Sequence, residues 1–179
     1  MNWIEAYYPY LLSDIKDVMK YIPMSIITGA VCTLAIMILY RLYTGSWRWK
    51  KSVFYLFFIT YLMAVIQIAY LSRLPGSRTG IELGLGNTWG STVQAHSYVI
   101  ENVLMFIPFG ILFPLLGRIQ KRFCIPMAML TSIVIEGMQY FSQRGFCQLD
   151  DVVANTLGAI VGYIIIILLQ RLQKIIKEI

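Results

Sequence analysis

Residues 52–72, SVFYLFFITYLMAVIQIAYLS, hold 21 consecutive positions without a charged side chain, closed off by Lys50 and Lys51 before and Arg73 after. At about 1.5 Å per helical residue the run is about 30 Å long, the thickness of a hydrocarbon core. It therefore predicts a transmembrane helix, and the same count between charges can be carried outward in both directions.

Four more candidates emerge. Residues 21–40 and 152–170 are uncharged, and 123–143 carry only Glu136. Residues 102–117 offer 16 uncharged positions with Pro108 and Pro114 inside, short for a straight span, so a kinked or a re-entrant helix is expected there. The composition agrees: 58% hydrophobic and 13% charged residues exclude a disordered chain, and leave more apolar surface than a water-soluble domain of 179 residues could bury. The expected fold is all-α, a polytopic membrane protein with a five-helix transmembrane bundle over 21–179. Before it, Trp3, Ile4, Tyr7, Tyr8, Leu11, Leu12 and Ile15 recur at helical spacing against Glu5, Asp14 and Asp17, which predicts an interfacial amphipathic helix over 1–20. The first long apolar run starts too late for a cleaved signal peptide.

The net charge of +6 does not point to a nucleic-acid partner, because the basic residues fall in short stretches between apolar runs. Arg41, Arg48, Lys50 and Lys51 follow the first span, Arg118, Lys121 and Arg122 the third, and Arg171, Lys174 and Lys177 the fifth. That is ten of the 15 basic residues on one side. The positive-inside bias makes that side cytoplasmic, placing the amino terminus outside and the carboxyl terminus inside a plasma membrane. Trp47 and Trp49 suit an aromatic belt on the inner face. The connection 73–101, with five glycines, reads as a turn-rich outer loop.

With this orientation the unusual polar residues gather toward the outer face: Arg73, Arg78, Glu101, Asn102, Glu136, Gln139, Gln143, Arg144, Asp150, Asp151 and Asn155. Glu136 lies inside a span and needs a partner or a watery cavity there. Gln139, Tyr140 and Gln143 follow it at i+3, i+4 and i+7, on one helical face. Asp151, Asn155, Gly158 and Gly162 share a stripe of the fifth span whose GxxxG pair favours close helix packing. Asp150 reads as a solvated loop acid or a helix cap, and Asn102 through Pro108 to Gly110 as a helix that breaks at the proline. No metal set and no cofactor motif is visible. Cys32, Cys124 and Cys147 are too scattered for a disulfide framework or zinc, and His96, the single histidine, makes a nucleophilic relay an arbitrary choice.

The stretches ENVLMFIPFGILFPLL and IEGMQYFSQRGFCQLDDVVANTLGAIVGY resemble the VanZ family of small bacterial membrane proteins. The resemblance covers about 101–117 and 135–163 and rests on Asn-x-x-x-Phe-x-Pro-x-Gly, Glu-x-x-Gln, the later Arg, and Asp-Asp-x-x-x-Asn-Thr-x-Gly taken together. It puts the family's polar positions at Asn102, Pro108, Gly110, Glu136, Gln139, Arg144, Asp151, Asn155 and Gly158, with Arg73 matching an upstream arginine. In the outer loop the chain departs from the family, with Gly-Leu-Gly-Asn-Thr-Trp at 84–89.

What the resemblance implies is low-level resistance to teicoplanin-type lipoglycopeptides. The expected site is an outward-facing polar cleft for an amphiphilic or lipid-linked anionic ligand. Arg73, Arg78 and Arg144 would hold the anion, and Glu101, Asn102, Glu136, Gln139, Gln143, Asp151 and Asn155 would orient them or bind ligand hydroxyl and amide groups. Membrane lipids, and a lipoglycopeptide or a lipid-linked envelope precursor, are the expected partners. Two alternatives stand beside this: an enzyme on a lipid-linked cell-wall precursor with Glu136 and Asp151 as acid and base, or a lipid flippase, for which homo-oligomerisation would be needed.

Overall fold

The computed structural model of the chain describes residues 3–47, 49–71, 73–76, 79–87 and 93–178. Helix α1 runs Trp3–Thr44; α2, Trp49–Ile66, passes into a π-helical turn, Gln67–Leu71; strand β1 is Ile81–Glu82. Helix α3, Val93–Leu112, tightens into a 3-10 turn, Phe113–Leu116, and is followed by the short α4, Arg118–Arg122. Then come α5, Cys124–Phe141, strand β2, Cys147–Gln148, which pairs with β1, and α6, Leu149–Glu178.

Five segments are long and apolar enough to cross a membrane: Met19–Thr44, Lys51–Leu71, His96–Leu116, Cys124–Phe141 and Leu149–Glu178. The chain is thus an all-α polytopic membrane protein. Three boundaries differ from the sequence reading. The segment 3–20 is the first part of one unbroken α1, with no break before the first span. Helix α3 starts at Val93 and its apolar span at His96, so Glu101 and Asn102 sit inside α3, and the helix continues through Pro108. Proline removes only one intrahelical hydrogen bond there, a loss that a packed membrane helix tolerates; the winding changes at Phe113–Leu116, around the buried Pro114. Helix α5 stops at Phe141, two residues short of the apolar run.

The chain divides into two compact units, Met1–Ile81 with Gly137–Cys147 and Glu82–Glu136 with Gln148–Ile179. In the first unit α1 and α2 pack at Gly29, where a Cβ would stand 2.7 Å from Thr60 Cα. Two buried hydroxyls of α1 bond within their own helix, Ser25 Oγ to Tyr21 O and Thr33 Oγ1 to Gly29 O, both at 2.8 Å, so neither enters an apolar medium as an orphaned donor. At the end of α1 the Arg41 guanidinium lies 4.7 Å over the Trp47 ring, which stacks on Trp49, an arrangement suited to a headgroup boundary.

In the second unit α3 lies against α6 with backbones in near contact. A Cβ on Gly158 would collide with Val103 O, on Gly162 with Ile107 O, and on Gly110 with Ala159 O. Small residues let two helices approach in lipid, where dispersion at close range replaces the hydrophobic drive. The GxxxG pair therefore packs a helix, as its spacing predicted, and Gly110 is a third contact of the same seam, not a helix breaker. Phe106, Phe109 and Ala159 are buried in this unit. Outward-facing side chains such as Leu104, Leu130, Leu157 and Ile164 are exposed, as expected of a lipid-facing surface.

Candidate functional site

In the first unit the site begins with a defect in a helix. The π-helical turn Gln67–Leu71 ends α2 on wide winding, and the carbonyls at a helix end have no partner within the helix. One side chain near the end of α5 and one just beyond it meet them. Gln139, 2% exposed, donates from Nε2 to Ala69 O at 2.7 Å. Arg144 donates from Nη1 to Arg73 O at 3.0 Å, Tyr70 O at 3.3 Å and Leu71 O at 3.4 Å, with its guanidinium 4.9 Å from the Tyr70 ring centre.

Arg144 is aimed there by the way α5 ends. Gln143 N donates to Tyr140 O at 3.1 Å and Arg144 N to Gln139 O at 2.9 Å, the paired bonds of a Schellman turn. The turn needs a left-handed residue, and Gln143 fills that place at φ +56, where glycine is the usual occupant. Gln143 consequently leaves the helical face on which its spacing from Glu136 had put it, and its side chain is exposed.

Beside Arg144 the buried Gly145, having no side chain, lets the Arg73 guanidinium and the Gln139 amide come close to its backbone. A Cβ there would stand 2.5 Å from Arg73 Nη1 and 3.2 Å from Gln139 Oε1. Gln139 Oε1 is buried and has no hydrogen-bond partner among the described residues. Arg73 is exposed. The sequence supplies no Asp or Glu in 45–81 or 137–147, and among the described residues neither Arg73 nor Arg144 forms an ion pair. Arg78 lies outside the described residues.

The second unit holds the carboxylates, and donors reach those of Glu82, Glu136 and Asp150. Glu136, 3% exposed, accepts from Gln148 N at 2.9 Å through Oε2, and the Gln148 side chain donates to Glu82 at 2.8 Å. Asp150, 6% exposed, accepts from Gly86 N at 2.8 Å, so it is a buried anchor for the loop that precedes α3 and not a solvated acid. Asn155, 2% exposed, donates to Ser132 Oγ at 2.8 Å, while its Oδ1 has no partner among the described residues. Glu101 and Asn102 on α3 and Asp151 in the first turn of α6 are half-buried. Among the described residues no group of three His, Cys, Asp or Glu side chains could hold a metal ion.

Sequence reasoning missed Tyr70, Gly145 and Ser132. Gly145 was the one with a signal, a glycine directly after the singled-out Arg144. A family model described as VanZ/LLP1 matches residues 34–170, which takes in every candidate position of both units. No curated protein and no solved structure matches the chain.

Proposed function

The chain belongs to the VanZ/LLP1 family, and from that membership we propose that it binds the anionic head of an amphiphile at the Arg73–Arg144 corner and so gives low-level resistance to teicoplanin-type glycopeptides. One observation carries this reading: among the described residues, two guanidinium groups form no ion pair, and the buried amide oxygen next to them, Gln139 Oε1, has no donor. Unneutralised arginines call for phosphate or carboxylate, and the orphaned oxygen calls for an N–H or O–H close to it. A lipoglycopeptide, or a lipid-linked envelope precursor with its phosphates and sugar hydroxyls, carries both. Arg144 contributes a charge that is held in place by three carbonyls, and Arg73 the free fork.

Because Arg73 is exposed and bonds no protein group through its side chain among the described residues, Arg73→Gln should insert and fold normally. Loss of one charge-assisted hydrogen bond should weaken ligand binding on the order of 10- to 100-fold, so teicoplanin resistance in a susceptible host, at matched membrane levels, is expected to fall toward that of the host without the protein. Arg73→Lys should retain part of it, as a point charge without the planar fork. Undiminished resistance in Arg73→Gln would remove the corner from the function.

The proposal also places the corner at the cell exterior, following the ten-to-five distribution of basic residues. Cys124 is 1% exposed, so its silence toward a thiol reagent would say nothing about sidedness. Exposed Ser46 and Pro75 are better positions in a cysteine-free chain. Pro75→Cys is expected to react with an impermeant maleimide on intact cells, and Ser46→Cys only after permeabilisation; the opposite pattern would turn the protein over.

A further inference from the structure

The far end of the second unit carries a feature that lies outside the polar positions marked by the family resemblance. Lys121 of α4 and Tyr163, Ile167, Gln170, Arg171 and Lys174 of α6 line an open groove of ≈ 510 Å³. On α6 the positions 163, 167, 170 and 174 follow at i, i+4, i+7 and i+11, one face of the helix. That face changes along its length from an aromatic and a branched aliphatic side chain to an amide and then to cations. Lys121 Nζ donates to Gln170 Oε1 at 3.0 Å, which fixes the ammonium at the groove's edge and leaves its other two N–H groups for a ligand. Lys174 has an acid within reach, Glu178 at 3.7 Å, whereas Arg171 has no acidic partner among the described residues.

We infer that this groove binds the phosphate of an anionic membrane phospholipid, with the start of its acyl region against Tyr163 and Ile167. The depth supports a lipid. Gln170 lies 21 residues beyond Leu149, the start of α6, which is about 32 Å of helix and so about one hydrocarbon thickness. The cations therefore stand where phosphates stand. Next to them α6 exposes Leu168, Leu169 and Leu172, a surface for acyl chains and not for a soluble polyanion. Basic pockets between helices at such a depth recognise anionic head groups by charge and by the room they leave for them.

The experiment uses the full chain in nanodiscs of phosphatidylcholine doped with phosphatidylglycerol, with retained lipid counted by native mass spectrometry. Wild type should keep phosphatidylglycerol in preference to phosphatidylcholine. K121Q/R171Q should lower that retention about 30-fold, from the usual contribution of each basic residue near an anionic surface. K121R/R171K should keep it. R118Q/R122Q removes the same charge from α4 outside the groove and should lower retention clearly less than K121Q/R171Q does, because screened charges that touch no bound phosphate contribute little. Equal loss in K121Q/R171Q and R118Q/R122Q would mean diffuse attraction and overturn the site, as would wild-type retention in K121Q/R171Q. Complete displacement by soluble glycerol phosphate would show that the phosphate alone is bound, and would overturn the lipid assignment.

Discussion

Replacing Gly158 with leucine should cost at least about 3 kcal/mol of folding stability, above the usual range for overpacking a core. The obstacle is backbone. A Cβ at 158 would meet Val103 O and lie 3.1 Å from Val103 Cα, and a main-chain carbonyl cannot rotate aside as a side chain can. The α3 and α6 axes would have to separate, and the seam would lose dispersion contacts at Gly162 and Gly110 as well. Gly158→Ala should cost about 1–3 kcal/mol. Gly137 is the internal control: it lies inside α5 with open space where a Cβ would stand, so Gly137→Ala should be neutral or should stabilise by up to about 1 kcal/mol. Denaturant unfolding in detergent micelles compares the three. Gly158→Leu and Gly162→Leu together should cost less than the sum of the singles, because the first already parts the helices. Wild-type stability in Gly158→Leu would dismiss the seam.

The spans could be read from the sequence because a membrane helix needs only length and the absence of charge. The GxxxG stripe was legible for a similar reason, since both glycines lie on one helix at a fixed interval. Gly110 was not, because its partner Ala159 lies far along the chain and a glycine after a proline reads locally as a break. The end of α5 was misplaced since Ser142 and Gln143 carry no stop signal; a left-handed glutamine has no mark in the sequence. The candidate residues were found more readily than their partners. Desolvation alone singles out Glu136, but its bond goes to the main-chain N–H of Gln148, and Arg144 goes to carbonyls exposed by a π-helical turn. Main-chain groups are present at every position, so nothing in the residue types reveals which of them are left over.

Glu136 then separates a bound anion from acid–base chemistry. Its carboxylate is 3% exposed and holds Gln148 N at the entrance to α6. Alanine would remove a charged acceptor and leave that N–H without it, so Glu136→Ala is expected to lose about 2–3 kcal/mol by denaturant unfolding. Glutamine keeps an oxygen at the same reach, and Glu136→Gln should lose about 1 kcal/mol, the difference between a charged and a neutral hydrogen bond. If the ligand's anion is held by Arg73 and Arg144, the charge on Glu136 takes no part in holding it. Glu136→Gln should then confer resistance close to wild type when membrane levels are matched. An acid–base reaction at Glu136 requires the proton that glutamine cannot give or take. A Glu136→Gln protein that unfolds like wild type yet gives no resistance would therefore move the chemistry from the arginine corner to the carboxylate.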